Sequence, residues 1–322
     1  MRRLWRFGQQ QIVAEDGSGN IISFTPDELN QYTDEFDAKN FLGCGGFGCV
    51  YGGTIHGREE KNLNDLQLAV KASRDANTKM RTQWEAETRY LSVIKHPNII
   101  KLVGHCETEK KFYLVYPLME NGNVMSKLQV LDWASTLKII IGAAGAVEKL
   151  HSQSPPLIYR DLKPQNLLLD KEFFPKLSDF GTVTVEGEYL RLGTPGYTDP
   201  VILTNAGTKP NDIYSLGVVI LQLIMKETKV RIVGCTMPAH ISDWAWSEYC
   251  SIKGHAVHQK LKTTGCSIGA AKAITKLGLD CVSDNTLERP TIVEVLASLV
   301  KLEEEFNNER SVIRFAKGFF KI

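Results

Sequence analysis

Leu157-Ile-Tyr-Arg-Asp-Leu-Lys-Pro-Gln-Asn166, followed by Leu177-Ser-Asp-Phe-Gly181, is the stretch of this chain whose reading decides its fold. It sets an aspartate, a lysine, an asparagine and a second aspartate on two neighbouring loops. Asp161 can orient a hydroxyl nucleophile, and Lys163 can neutralise charge on a phosphate in flight. Asn166 and Asp179 offer hard oxygen ligands suited to magnesium bound to a nucleotide. Short acidic loops are common, so the reading depends on what surrounds them.

Upstream, Gly43-Cys-Gly-Gly-Phe-Gly-Cys-Val50 places glycines at 43, 45 and 48. Without side chains there, the backbone can fold over phosphates and offer its N–H groups. A P-loop would end in Gly-Lys-Ser/Thr, which is missing. Val50 and Tyr51 read as the strand after the turn, and Leu68-Ala-Val-Lys71 as an apolar strand ending in a lysine. Trp84-Glu-Ala-Glu-Thr-Arg-Tyr-Leu91 reads as a helix, and Phe112-Tyr-Leu-Val-Tyr116 as a strand leading into Pro117-Leu118-Met119. Leu131-Asp-Trp133 opens a helix that runs to Leu150-His151, and Leu216 to Met225 reads as a buried helix too short to span a bilayer. Near the start, Thr25 can cap a helix whose first turn holds Pro26, Asp27 and Glu28. Residues 227–262 have weak periodicity, and no element is assigned there.

In this order and at these separations the motifs resemble those of a eukaryotic protein kinase. The resemblance implies an α+β, bilobal fold with a small β-rich N-lobe and a larger helical C-lobe. The expected organisation is an N-terminal extension (1–40), a kinase domain (41–302, with lobes at about 41–116 and 120–302) and a C-terminal tail (303–322). It implies ATP and Mg2+ as cofactors. Asp161, Lys163, Lys71 and Glu87 would be catalytic, the register against His96-Pro97-Asn98 favouring Glu87 over Glu85 as partner of Lys71. Gly43, Gly45, Gly48, Val50, Ala69, Lys71, Pro117 and Met119 would bind ATP, and Asn166 and Asp179 the metal. Tyr116 would guard the pocket behind adenine. Asp212 would hold the backbone at Tyr159 and Arg160, and Thr194 would contact Asp161. Arg160, Thr182, Thr184 and Thr194 would be regulatory, with Tyr189 a further hydroxyl and Glu186 or Glu188 a fixed negative charge near Arg160.

Finer details narrow the resemblance. Lys163-Pro164 is typical of serine/threonine kinases. Phe24 through Gly43, Leu131-Asp-Trp133, Gly193-Thr-Pro-Gly-Tyr197 with Asp199-Pro200, Glu288-Arg-Pro290 and Tyr159 together resemble plant receptor-like cytoplasmic kinases. That family implies a serine/threonine kinase in plant intracellular signalling, with a protein substrate and an immune receptor or another receptor-like kinase as partner. Two departures open an alternative: the activation segment between Gly181 and Gly193 is short, with only Thr182, Thr184 and Tyr189 as hydroxyls, and position 201 departs from the family pattern. The family pattern has glutamate where this chain has Val201, and that glutamate pairs with a buried arginine, here Arg289. With Glu288 as the conceivable substitute, the alternative is a pseudokinase adaptor or decoy that binds an immune receptor or a pathogen effector.

Composition is that of an ordinary soluble globular protein: 322 residues, 43% hydrophobic, 23% charged, net charge +1. So small a charge gives no electrostatic case for nucleic acid. The seven cysteines, without a Cys-x-x-Cys, read as reduced thiols of a cytosolic protein; Cys44 and Cys49, in the phosphate loop, read as redox-sensitive thiols or, the preferred reading, as small residues filling turn positions. No signal peptide, transmembrane segment or myristoylation pattern is visible, so the expected location is the cytoplasm. The basic and aromatic Met1–Phe7 arm reads as a short arm packing on its own N-lobe or a frayed terminus, with a peripheral contact at the plasma membrane as the alternative. The apolar, basic tail from Val312 to Ile322 is expected to pack on the C-lobe.

Overall fold

The computed structural model describes residues 21–55, 65–188, 193–200, 206–230 and 240–319, the last eight as backbone. The Met1–Phe7 arm, most of the 56–67 connection, Tyr189, Val201, Cys235 and the side chains of the tail lie outside the described residues. The chain forms two compact units, Met1–Trp84 with Leu102–Leu118, and Glu85–Lys101 with Met119–Ile322. The division falls inside one helix, α2 (Thr78–Val93).

The first unit is built on strands β1 (Ile22–Ser23), β2 (Phe41–Cys44), β3 (Gly48–Thr54), β4 (Gln67–Ser73), β5 (Gly104–Glu107) and β6 (Phe112–Pro117). They form one sheet in the order β1-β5-β6-β4-β3-β2. Alternation along β4 decides what each face does. Leu68 and Val70 point into a core with Phe24, Leu29, Tyr32, Ile55 and Val115. Ala69 and Lys71 therefore project from the other face, and the register sets Val50 directly opposite Lys71.

Helix α1 (Pro26–Tyr32) forms as its sequence suggests. Thr25 accepts from the Glu28 N–H while Glu28 accepts from the Thr25 N–H, and Pro26 sits in the first turn. Leu29 is fully buried, and Tyr32 meets Phe24 edge-on with ring centroids 6.3 Å apart. This segment, expected as an extension, is thus built into the core of the β-sheet unit.

The glycine-rich stretch is the β2–β3 hairpin, with Gly45 N–H donating to Gly48 O at 2.8 Å. Gly48 has no room for a side chain: a Cβ there would lie 1.9 Å from Ala72 O of β4. Here one expectation is corrected. Cys44 and Cys49 are joined by a disulfide, not left as separate thiols. The cause is register: they are cross-strand partners on either side of the turn, with Cα atoms 4.1 Å apart.

The second unit is helical. It contains α3 (Val124–Lys127), α4 (Trp133–His151), α5 (Lys209–Met225), α6 (Ile241–Cys250), α7 (Gln259–Thr263), α8 (Ile268–Cys281) and α9 (Ile292–Phe319). Asp132 caps α4, accepting from Ser135 N at 2.8 Å. Helix α5 is buried nearly all round, which is why its sequence is apolar on every face. Gly217 lets it approach α8, since a Cβ there would lie 2.6 Å from the Cys281 Cβ. The weakly periodic 227–262 region holds α6 and α7. Helix α9 runs without a break past residue 302, the expected end of the kinase domain, into the expected tail.

Two short antiparallel ladders bring the diagnostic loops together. β7 (Leu157–Ile158) pairs with β10 (Thr184–Val185), and β8 (Leu167–Leu169) pairs with β9 (Pro175–Leu177). The loop 159–166 enters β8 and the loop 178–183 leaves β9, so pairing sets the two side by side.

Candidate active site

Asp212, fully buried in the first turn of α5, organises the loop that precedes β8. One of its oxygens accepts from Tyr159 N at 2.8 Å and the other from Arg160 N at 2.8 Å. His151 Nε2, at the end of α4, lies 2.9 Å from the first of these oxygens. These bonds hold Arg160 at φ 74°, a left-handed backbone that a long side chain rarely adopts.

With the backbone so fixed, the side chains converge. Asp161 accepts from Lys163 Nζ at 2.7 Å, from Thr194 Oγ1 at 2.5 Å and from Asn166 Nδ2 at 3.0 Å. Lys163 Nζ also donates to Thr194 Oγ1 at 2.8 Å. The carboxylate is only 8% exposed, yet it is met by an ammonium and two further donors, so its charge is compensated. Asn166 Nδ2 also donates to Asp161 O at 2.9 Å. With its nitrogen committed to Asp161, Asn166 has Oδ1 as the atom that can ligate a cation.

Ser178 ties the second loop to the first, its N–H and Oγ each donating to Asn166 O at 2.9 Å. Asp179 follows directly, with left-handed backbone at φ 60°. Tyr159 and Phe180 are both fully buried and pack with ring centroids 5.7 Å apart. The Tyr159 hydroxyl donates to Ser178 O. Burial, and then the charges of Asp179 and Asp161, push its pKa well above the usual phenol value, so it stays a donor. An amide oxygen and a carboxylate on adjoining loops are a donor set that fits a hard divalent cation carrying phosphate.

Glu87 is 1% exposed on α2 and belongs to this unit. Arg160 donates from Nη1 to Thr184 Oγ1 at 3.3 Å and to the backbone oxygen of Glu188 at 3.2 Å. Thr182 donates to Tyr159 O at 3.0 Å. Thr182 and Thr184 are each 7% exposed, so neither presents its hydroxyl to solvent in this conformation. The Glu186 carboxylate accepts from Lys209 N and that of Glu188 from Val185 N, each at 3.3 Å. Met119 O accepts from Gly122 N at 3.0 Å.

The β-sheet unit carries the remaining candidates. Val50, Ala69 and Lys71 share one face of the sheet by register, and Gly43, Gly45 and Gly48 belong to the hairpin beside them. Phe47, at the hairpin tip, is 5% exposed, and Lys71 Nζ stands 4.9 Å from its ring centroid. Pro117 ends β6 opposite Leu68, and Tyr116, one residue earlier, is buried.

A second correction concerns Arg289. Glu288 does not take the place of the missing glutamate: it accepts from Asn285 Nδ2 at 2.9 Å and Ser283 Oγ at 3.3 Å. Arg289 pairs instead with Asp199, Nη1 to Oδ2 at 2.5 Å, the two side chains being 1% and 0% exposed. Arg289 also donates to Ser283 O at 2.8 Å and Pro210 O at 3.0 Å, and Asp199 accepts from Asn211 Nδ2 at 2.9 Å. Asp199, which in the sequence stands out only as part of the Asp199-Pro200 motif, is thus the acid that balances Arg289. The signal available was an acid two residues before the expected position, which only a folded arrangement can assign to Arg289.

A family model described as the protein kinase domain matches residues 36–300. The chain belongs to the protein kinase family, with a β-sheet N-lobe and a helical C-lobe. It is 33% identical to the probable serine/threonine-protein kinase PBL15 of Arabidopsis thaliana, over 91% of this chain and 73% of that one. It is 34% identical to a receptor-like protein kinase of Arabidopsis thaliana and 33% identical to an EPD1-interacting receptor-like cytoplasmic serine/threonine-protein kinase of Nicotiana benthamiana. These alignments cover 87% and 88% of this chain, and in each case it spans 65% of the relative's length. Within the kinases, the chain groups with the plant receptor-like cytoplasmic serine/threonine type. ATP and a divalent metal are the cofactors of that fold. No helix among the described residues is long and apolar enough to cross a membrane.

Proposed function

We propose that this chain transfers the γ-phosphate of Mg2+-bound ATP to serine or threonine hydroxyls of a protein substrate, as a step in plant intracellular signalling. The observation that carries the reading is the Asp161 carboxylate, held between Lys163, Thr194 and Asn166 on a loop braced by Asp212. Asp161 orients the attacking hydroxyl and accepts its proton. Lys163 stands beside that carboxylate, where it offsets negative charge developing on the transferred group. Asn166 Oδ1 and the Asp179 carboxylate would hold Mg2+, which would supply positive charge to offset that of the phosphates. Lys71 would meet the α- and β-phosphates, with Glu87 the acid that the kinase resemblance assigns to it. The hairpin glycines Gly43, Gly45 and Gly48 give the backbone close approach, and Val50, Ala69, Pro117 and Met119 line the adenine side. Arg160, Thr182, Thr184 and Thr194 set the state of the activation segment.

The alternative of a catalytically weak or inactive adaptor drew on Arg289 losing its acid and on a sparse activation segment. Asp199 supplies that acid, which removes the first of these arguments. The partner we propose is a receptor or receptor-linked signalling protein, the substrate is a protein, and the location is the cytoplasm with peripheral contact at the plasma membrane.

The test supplies labelled γ-phosphate as Mg-ATP together with a generic peptide containing serine, threonine and tyrosine. Label on phosphoserine or phosphothreonine that disappears when the divalent ion is chelated is the expected result. Label confined to tyrosine, or none from a folded chain that binds nucleotide, contradicts the reading.

A further inference from the structure

The disulfide of the glycine-rich hairpin has no part in phosphoryl transfer, and it lies where it can control it. Cys44 and Cys49 face each other across the turn, and their bond closes the tip Gly45-Gly-Phe-Gly48 into a covalent ring. Within that ring Phe47 is turned inward, buried, with the Lys71 ammonium 4.9 Å from its ring. The tip is also tied to the end of β4, since Arg74 N donates to Phe47 O at 3.1 Å and Arg74 Nη2 to Gly45 O at 3.0 Å.

We propose that Cys44 and Cys49 form a reversible redox site, and that the disulfide holds the hairpin tip over Lys71 and weakens ATP binding. The inference rests on the kinase reading, because Lys71 is the group proposed to meet the phosphates. The pairing is local. Cys106, Cys266 and Cys281 are buried, while Cys44, like the distant Cys250, is solvent-exposed and can meet an oxidant; Cys44 alone of these faces a second cysteine across a hairpin. The Arg74 guanidinium donates to the backbone oxygen of Gly45, the residue after Cys44, so a cation lies against the hairpin tip.

The oxidant is a hydroperoxide. The Cys44 thiolate attacks the peroxide oxygen and breaks the O–O bond. This gives a sulfenic acid at Cys44 and releases the alcohol, or water when hydrogen peroxide is used. The Cys49 sulfur then attacks the Cys44 sulfur, an S–S bond forms and water leaves. In total, two thiols lose two electrons and two protons, and the peroxide is reduced. A dithiol reverses the reaction by exchange. In the dithiol form the four-residue tip is no longer closed covalently. It can then lift from Lys71 and let the backbone N–H groups reach phosphate.

The experiment measures Mg-ATP affinity of the full chain after hydrogen peroxide and after dithiothreitol, with peptide mapping of the 44–49 cross-link. The double variant C44S/C49S runs in parallel, to isolate the effect from oxidation of other cysteines. The expected result is a mapped 44–49 bond and affinity about tenfold weaker in the oxidised chain, equivalent to about 1.4 kcal/mol. C44S/C49S should bind like the reduced chain under both treatments. Equal affinities in the two forms, no 44–49 bond after peroxide, or a peroxide response that persists in C44S/C49S overturns the switch. Failure of every form to bind nucleotide contradicts the kinase reading itself and overturns the switch with it.

Discussion

Single side chains account for most of what was legible in the sequence. Asp161, Lys163, Asn166 and Asp179 stand out because phosphoryl transfer needs those chemical groups at that spacing, whatever the surrounding residues are. The role of Asp212 came from the kinase resemblance, and the structure shows its two oxygens accepting from Tyr159 N and Arg160 N. The pairing of Asp199 with Arg289 and that of Cys44 with Cys49 were missed on different grounds. Asp199 is defined by a partner 90 residues away, a separation that no local pattern encodes. The cysteines were judged by compartment and motif, whereas their pairing follows from hairpin register. Asp199 yields a prediction at this scale. Its pair with Arg289 is dry, so removing the negative charge strands a buried guanidinium. Asp199→Asn should lower unfolding stability by about 3 kcal/mol in urea titrations, with Asp199→Glu recovering part of it. A loss below about 0.5 kcal/mol would mean that Arg289 is balanced by another group.

At the scale of elements, segments with a strong cap or a full apolar run were readable, and short ones were not. The capping box at Thr25 and Glu28 announces α1, and the uninterrupted apolar stretch announces α5. Helix α6 gives little signal because Ile241 and Ala245 are its buried residues while Trp246 is 58% exposed, so its apolar pattern does not track burial. Helix α1 precedes the family match, yet it contributes Leu29 to the core of the sheet unit. Leu29→Ala should cost about 2–5 kcal/mol, while Thr25→Ala, which loses only the cap, should cost about 1 kcal/mol. Thermal melts of the two variants check this, and equal small losses would show that α1 is dispensable. The end of α5 gives a pH prediction. Lys226 is buried, with Nζ donating to Leu128 O at 2.7 Å. Desolvation, and then the neighbouring Lys260 ammonium, lower its pKa to about 8. Between that value and the higher one of the unfolded chain, the unfolded state binds more protons, so this group makes stability rise with pH. Wild type should therefore gain Tm relative to Lys226→Met as pH increases from about 8 to 10. A difference in Tm that stays constant across this range would show that Lys226 is not desolvated.

For the whole molecule, the kinase family was legible because many motifs occur in one order along most of the chain. The same order could not reveal that the glycine-rich hairpin is bridged, nor that the acid facing Arg289 has moved to Asp199. Both bear on activity: one sets a control on the hairpin, and the other removes the main reason to regard the chain as an inactive relative. The central claim is that Asp161, braced and charge-compensated, makes this chain a working phosphotransferase. Its most direct test is transfer of labelled γ-phosphate from Mg-ATP by wild type and by Asp161→Asn, each purified under reducing conditions and shown to be folded. The account predicts incorporation by wild type and a loss of at least about a hundredfold in the variant, the scale of losing a general base. Equal incorporation by the two proteins, or none by a wild type that binds nucleotide, would contradict it.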